Sequence, residues 1–151
     1  MEKVIFDNFD YIIYTDGACL GNPGPGGWAA IIINPKKSKK IIEGAAKNTT
    51  NNRMELLAVI RALDEIKDNG NIKIFTDSKY VINGIESWIQ RWKKNNWITS
   101  NKKKVKNVDL WIKLDNVRLG KIISWKWVKG HSGIKLNEEV DTLAKNQAMK
   151  V

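Results

Sequence analysis

The sequence predicts a single α/β domain of the mixed α+β type, in which one mixed sheet carries helices on its faces. Three β-rich segments joined by short connections come first, and helical and strand patterns then alternate to the end of the chain, which together predict that architecture. No repeat or linker interrupts residues 1–151. With 42% apolar and 28% charged residues, the composition is that of one globular domain and excludes a disordered or collagen-like chain.

The first three strands follow from β-branched and aromatic residues. A strand is predicted over 10–16, ending at a glycine-rich stretch, 17–27, whose five Gly and two Pro predict a long turn. Further strands are predicted over 28–33 and 40–44, on either side of a lysine-rich hairpin tip. Because the connections are short, the three strands are expected to form an antiparallel meander.

The hydrophobic period then becomes helical. Apolar side chains from Leu56 to Ile66 recur at helical spacing and predict a helix, capped within 49–51 and stopped by Asn69–Gly70. The remaining elements are predicted in chain order as a strand over 71–76, a helix over 78–94, a basic loop over 95–106, a helix over 107–119, a strand over 124–129 and a helix over 137–149.

Charge and cysteine content narrow the function classes. The 26 Lys and Arg outnumber the 16 Asp and Glu, and the net charge of +10 predicts a polyanionic partner, nucleic acid first and an acidic membrane surface second. A lysine-rich solvated surface would give the same sum. Cys19 is the only cysteine, which excludes an intrachain disulfide and is typical of a reducing compartment.

Location is predicted from sequence signals. The longest apolar run, 28–33, is far shorter than the ~20 residues of a membrane-spanning helix. Residues 1–9 form a short extension without the pattern of an export signal. We therefore expect a soluble, cytoplasmic protein without membrane contact or an obligate protein partner. A monomer is the default expectation, because no apolar helix face is left unexplained.

Carboxylates recur where strands are predicted to end. Asp16 and Asp77 each follow a strand in a Thr-Asp-small pattern, so they are expected to share one rim of the sheet. Two helices bring further acids. Glu55 lies in a first turn, where the helix N-terminus would favour its ionised form, and Asp141 lies one turn into the last helix. Taken singly, each acid could be a helix cap or a turn residue.

Four carboxylates in one place require cations to neutralise their charges. Like charges this close repel and raise one another's pKa unless cations neutralise them. A cluster of oxygen ligands without Cys or several His selects a hard ion. Mg²⁺ is therefore the predicted cofactor, with Mn²⁺ as a substitute.

Six sequence blocks in one order carry a family resemblance. They are YTDGA at 14–18, GNPGPGG at 21–27, TNNRME at 50–55, TDS at 76–78, WVKGHSG at 127–133 and the stretch 137–144. Together they closely resemble the type 1 ribonuclease H family of bacteria, over about residues 11–148. The resemblance implies the ribonuclease H-like fold, a five-stranded mixed sheet flanked by helices, and endonucleolytic hydrolysis of the RNA strand of RNA–DNA hybrids.

The resemblance also implies roles for single residues. Asp16, Glu55, Asp77 and Asp141 match the metal-binding carboxylates, and His131 matches a loop histidine that helps the product leave. Two cations could clamp an in-line displacement, giving a 3′-hydroxyl and a 5′-phosphate. A lone loop histidine could also be an ordinary surface residue, although its side chain can exchange a proton near neutral pH.

Residues 87–108, here named the basic protrusion, hold seven basic residues and no acid, interleaved with three tryptophans. The segment resembles the basic protrusion of bacterial family members, whose bases would neutralise phosphates; a solvated lysine loop is the alternative. Its predicted substrate contacts are Trp88, Trp92, Lys93, Lys94, Lys102, Lys103 and Lys104. Trp111, Trp125 and Trp127 lie in helix and strand patterns and are predicted to be core residues.

Further hybrid contacts follow from the resemblance. Short polar groups suit the recognition of 2′-hydroxyls across a minor groove, and the predicted groove residues are Gly17, Cys19, Asn22, Asn51 and Asn52. Thr50 and Asn107 would hold a phosphate of the DNA strand. Turn and helix-cap chemistry is the alternative role for these residues.

Three positions depart from the family pattern. Lys79 stands where many relatives have Gln, so a groove contact is expected to be exchanged for a phosphate contact. Asn48 stands where an Arg often supports the phosphate pocket, a role that Lys47 could take. Residues 134–136 are less polar than the usual loop.

Two other functions are alternatives. A non-catalytic module that binds RNA–DNA hybrids would keep the groove, but it would gain nothing from four mutually repelling acids. A transposase or resolvase of the same fold would lack the blocks at 21–27 and 50–55 together. The sequence therefore favours the metal-dependent nuclease.

Overall fold

Five strands form one mixed sheet in the computed structural model, which describes residues 9–130 and 133–151. They are β1 (Tyr11–Cys19), β2 (Gly24–Ile33), β3 (Lys39–Thr49), β4 (Asn71–Thr76) and β5 (Ile122–Trp127). Their order across the sheet is β3-β2-β1-β4-β5. β2 pairs antiparallel with β1 and β3, whereas β4 pairs parallel with β1 and β5. The predicted meander and mixed sheet are confirmed.

Five α-helices in the described ranges connect or follow the strands: α1 (Asn51–Asp64), α2 (Lys79–Asn83), α3 (Ile89–Lys94), α4 (Val108–Val117) and α5 (Lys135–Met149). The helix predicted over 78–94 is not a single α-helix, because a π-helical turn, Gly84–Trp88, separates α2 from α3. A Cβ added to Gly84 would come within 1.9 Å of a ring carbon of Trp111. This helical run therefore packs on α4 at a residue without a side chain.

Two hydrophobic layers enclose the sheet. On one side, α1 and α4 pack around Leu56, Val59 and the fully buried Trp111. On the other side, α5 contributes Val140 and Ala144 against β1 and β2. Each fully buried Leu or Val side chain contributes about 1.5–3 kcal/mol, so both layers fix the helices on the sheet. None of the helices described has the length and apolar character that crossing a membrane requires.

The glycine-rich stretch 17–27 is not the long turn that its composition predicts. β1 and β2 extend into it from both ends and leave only 20–23 as their connection. The glycines allow close packing instead. A Cβ at Gly17 would lie 2.4 Å from a backbone nitrogen of α1, and a Cβ at Gly27 would lie 2.3 Å from a carbonyl oxygen of α5. Both helices thus approach the sheet more closely than a side chain would allow.

Of the three tryptophans predicted to be core residues, two pack in the core and one is exposed. Trp111 is fully buried and Trp125 packs against the core, as predicted. Trp127 is 39% exposed, so its predicted core position is wrong. The reason is that Trp127 ends an edge strand, where its indole N–H donates to the carbonyl oxygen of Asp77 over 3.0 Å.

Replacing Gly27 by Ala is expected to lower the free energy of unfolding by about 1–3 kcal/mol, because the new Cβ meets backbone atoms of α5. Urea unfolding followed by circular dichroism measures the change. Asn146→Ala, at an exposed position of α5, is the matched control. Equal stability of the two variants would contradict the close approach of α5 to β2.

Candidate active site

Three carboxylates meet at one end of the sheet. Asp16, Glu55 and Asp77 each offer an oxygen, and these atoms lie within 4.8 Å of one another. Asp16 lies inside β1 rather than at its end, which corrects its predicted position. The acids still meet because β1 and β4 are parallel with Tyr14 opposite Phe75, so Asp16 and Asp77 follow that pair at the same distance along the two strands.

Helix α1 brings Glu55 to the cluster. Thr50 is its N-cap, and the hydroxyl accepts the N–H of Arg53 at 3.3 Å. Glu55 is buried one turn further on. Its carboxylate accepts the N–H of Gly17, which also donates to Asp16 over 2.8 Å. One backbone donor therefore fixes two acids relative to each other.

Burial dominates the electrostatics of the cluster. Removal from water raises the pKa of Asp16, and interactions with Glu55 and Asp77 raise it further. Burial also raises the pKa of Glu55, against the opposing effect of its hydrogen bonds. In the metal-free protein, burial therefore opposes the preference of the helix N-terminus for an ionised Glu55.

Two oxygens of the cluster have no hydrogen-bond partner. Within the described residues, Asp16 Oδ2 and Glu55 Oε2 are buried and unpaired. A buried acceptor without a partner is costly, and a bound cation would satisfy it. Carboxylate oxygens are the ligands that a hard ion such as Mg²⁺ prefers. The side chains present therefore fit the predicted metal.

Asp141 is not among the three acids whose oxygens meet. It lines the same cleft from α5, and its charge adds to the effect of burial in raising the pKa of Glu55. Its Oδ2 lies 3.1 Å from Nζ of Lys145, one helical turn on. Sequence analysis missed Lys145, although an acid and a base at i,i+4 on a helix are a recognisable signal.

His131 lies outside the residues that the structure describes. The preceding residue, Gly130, is placed beside the cluster, because a Cβ added to it would come within 2.9 Å of Oδ2 of Asp77. Gly130 therefore lies against Asp77.

A cleft of 640 Å³ surrounds the carboxylates. The predicted substrate residues that line it are Gly17, Cys19, Asn51, Asn52 and Lys79. Asn22 is bonded to this group, because its side-chain oxygen accepts the backbone N–H of Asn51 at 3.0 Å. Sγ of Cys19 lies 3.3 Å from the carbonyl oxygen of Thr49. The fold thus gathers the predicted groove residues on one surface.

Asn107 is held from two sides. Its amide oxygen accepts from Arg53 at 3.3 Å, and its amide nitrogen donates to the hydroxyl of Tyr80 at 3.1 Å. Arg53 also pairs with Asp109 over 2.7 Å and donates its backbone N–H to Thr50. Arg53 thereby links the two predicted phosphate residues. Sequence analysis missed this role of Arg53 and Tyr80, since it depends on contacts between distant elements.

The basic protrusion rests on aromatic rings. The centroids of Trp88 and Trp92 lie 5.8 Å apart, and Trp92 meets the buried Trp111 at 5.4 Å. Lys93 pairs with the buried Asp115 at 3.1 Å, so it helps to anchor the protrusion. The other lysines of the protrusion that are predicted to contact substrate form no ion pair within the described residues and are exposed, as is Lys93 itself; they are Lys94, Lys102, Lys103 and Lys104.

The sequence is similar to known ribonucleases H. A family model described as RNase H matches residues 8–149. The chain is 59% identical over 136 residues to a protein of Wolbachia pipientis wMel named Ribonuclease H, covering 90% of this chain and 93% of that protein.

Two solved structures of proteins named RNase H1 have a fold similar to that of this chain. LC9-RNase H1, a type 1 RNase H with the type 2 active-site motif, is 29% identical and has a TM-score of 0.83, over 93% of this chain and 72% of the other. LC11-RNase H1, solved in complex with an RNA/DNA hybrid, has a TM-score of 0.68 at 21% identity, over 93% of this chain and 97% of the other.

Replacing Asp16 by Asn is expected to stabilise the metal-free protein by about 1–2 kcal/mol near neutral pH, because it removes a buried acid that its neighbours repel. Folding raises the pKa of Asp16 and of Glu55. Their contribution to stability is therefore complete below the unfolded pKa of a carboxyl group, and it is lost as pH rises through the folded values. The variant should lose part of this pH dependence in urea unfolding with chelator, measured at about pH 5.5 and about pH 8.

Glu86→Gln, at an exposed position of the π-helical turn, is the control and should change stability by less than about 0.5 kcal/mol. An Asp16→Asn protein less stable than this control in chelator would contradict the electrostatic account of the cluster.

Proposed function

Because the chain belongs to the ribonuclease H family, we propose that it hydrolyses the RNA strand of RNA–DNA hybrids with two divalent cations held by Asp16, Glu55, Asp77 and Asp141. It is a nuclease by family membership. The observation that carries the metal assignment is the meeting of three carboxylates, two of which have buried oxygens without partners. Asp141 would exchange its ion pair with Lys145 for a place in the metal site.

The chain prepares the site before any ligand binds. The N–H of Gly17 holds Asp16 and Glu55 in a fixed relation. Metal binding needs both acids ionised, so their raised pKa values make proton release a part of binding. When bound, Mg²⁺, or Mn²⁺ in its place, would supply an activated water and stabilise the leaving 3′-oxygen, and the expected products are a 3′-hydroxyl and a 5′-phosphate. His131 is proposed to help the product leave.

The surface beside the cluster is proposed to hold the hybrid. Short polar and backbone groups suit the recognition of 2′-hydroxyls, and the proposed groove contacts are Gly17, Cys19, Asn22, Asn51 and Asn52. Thr50 and Asn107, joined by Arg53, would bind a phosphate of the DNA strand. The hybrid bound by LC11-RNase H1 and the net charge of +10 support this proposal.

We further propose that the protein is a cytoplasmic monomer that needs no obligate protein partner. Cys19 is a free thiol in the described structure, which is consistent with a reducing compartment. Size-exclusion chromatography with light scattering, with and without hybrid, measures the oligomeric state.

Asp77→Asn is expected to reduce cleavage of the RNA strand by at least about two orders of magnitude, because a metal ligand loses its charge and several kcal/mol of transition-state stabilisation depend on the metal. The assay compares a labelled RNA–DNA hybrid with RNA–RNA and DNA–DNA duplexes, in Mg²⁺ and in chelator. Only RNA in the hybrid should be cut, and only with metal.

Asp64→Asn, at the exposed far end of α1, is the matched control and should keep full activity. Near-normal cleavage by Asp77→Asn would show that Asp77 is not a ligand. Tight binding of the hybrid by the unsubstituted protein without cutting in Mg²⁺ or Mn²⁺ would favour the non-catalytic binding module.

Replacing Lys102, Lys103 and Lys104 together by Ala is expected to weaken hybrid binding and to reduce its salt dependence, since each lost phosphate contact removes about 0.7–0.9 from the slope of log K against log salt. Fluorescence anisotropy at several salt concentrations measures the slope. The double variant Lys67→Ala/Lys113→Ala, at exposed positions elsewhere, should keep it. An unchanged slope in the triple variant would refute a binding role for these three lysines of the basic protrusion.

A further inference from the structure

Lys79 occupies the mouth of the carboxylate cleft. It is the first residue of α2, it follows Asp77 closely, and it lines the cleft together with the acids. Its side chain is exposed, and within the described residues it forms no ion pair. Lys145, the other lysine of the cleft, is paired with Asp141. In the metal-free protein, Lys79 is therefore the cleft lysine whose charge is not paired with an acid.

The face of Trp127 holds this lysine. Nζ of Lys79 lies 4.8 Å from the centroid of the Trp127 ring, within the range of a cation–π interaction. Trp127 is itself fixed, because its indole N–H donates to the carbonyl oxygen of Asp77 over 3.0 Å. The ammonium group thus keeps a defined position relative to the carboxylate cluster.

We propose that Lys79, seated on Trp127, binds a phosphate of the RNA strand next to the bond that is cut. This inference rests on the proposed function, because it takes the RNA strand to lie in the cleft. An ammonium group has three donors, no acceptor and a concentrated charge. It therefore suits a phosphate oxygen better than a groove edge that presents both donors and acceptors.

Trp127 is the positioning residue in this arrangement. A lysine has four rotatable bonds, and ordering such a side chain at an interface opposes binding. The ring restricts Lys79 before the substrate arrives and so reduces that cost. The same cation lowers the repulsion between the incoming phosphates and the carboxylates, which an unneutralised rim would impose.

The test of Lys79 is the salt dependence of hybrid binding in chelator, with a fluorescent RNA–DNA hybrid as the probe. Lys79→Gln is expected to reduce the slope of log K against log salt by about 0.7–0.9, the value of one phosphate contact. Lys79→Arg should retain the slope. Lys113→Gln, on the exposed face of α4, is the matched control and should behave as the unsubstituted protein. An unchanged slope in Lys79→Gln overturns the inference.

The test of Trp127 is a double-mutant cycle with Lys79. Trp127→Leu is expected to raise Kd on its own and to add nothing in the Lys79→Gln background, because the ring acts through the lysine. Trp127→Phe keeps a ring for the ammonium and should lose less affinity than Trp127→Leu. Additive effects of Trp127→Leu and Lys79→Gln overturn the positioning role. Melting temperatures of all variants show which of them are folded.

The assignment of the Lys79 contact to the RNA strand and the proposed function are tested separately. Methylphosphonates placed in the DNA strand should leave the effect of Lys79→Gln intact, and its loss would overturn the assignment to the RNA strand. Absence of RNA cleavage in Mg²⁺, with a slope that still depends on Lys79, would overturn the proposed reaction but not the phosphate contact. Normal cleavage with a slope independent of Lys79 would overturn the phosphate contact alone.

Discussion

Burial of two neighbouring carboxyl groups beside a third acid is the constraint on which this structure depends. Asp16 and Glu55 share the N–H of one glycine and have raised pKa values, and Asp77 is a third acid whose oxygen lies within 4.8 Å of theirs. Such a cluster lowers the stability of the metal-free protein and becomes favourable only when a cation binds. The chain tolerates it because two hydrophobic layers, away from the rim, hold β1, α1 and β4 in place. The site and the source of stability are therefore spatially separate.

Close backbone approach is the second requirement, and it follows from the first. Glu55 and Asp16 can share one donor only if α1 lies almost against β1, and the absence of a side chain at Gly17 permits this. Gly27 permits the same approach of α5 on the other face of the sheet, which brings Asp141 to the cleft. The glycines of this region therefore determine the distances between the acids, although none of their own atoms is a proposed metal ligand.

Local patterns explain which features the sequence could predict. The periods of two and 3.6 residues reveal the meander, α1 and α5, and the Thr-Asp-small pattern reveals that Asp16 and Asp77 share a rim. Features that depend on neighbours in space were not predictable. Glycine-rich composition indicates a turn and close packing equally well, so the stretch 17–27 was misassigned. The exposure of Trp127 depends on β5 being an edge strand, and the contacts of Arg53 and Tyr80 with Asn107 join elements far apart in sequence.

The site is acidic although the protein as a whole is basic, so the attraction of a nucleic acid depends on where the lysines lie. The carboxylates that attract metal repel the phosphates of a nucleic acid, and the net charge of +10 helps only where its cations are not already paired. Lys93 and Lys145 are paired with Asp115 and Asp141, so they serve the structure of the metal-free protein. Lys94, Lys102, Lys103 and Lys104 remain exposed, in a basic protrusion whose tryptophan rings pack at tilted and edge-on angles. Counting basic residues therefore overstates the unpaired charge of the metal-free surface. Both paired lysines are about half exposed, and ion pairs of this kind are weak, so a phosphate or a metal ion can take the place of one partner.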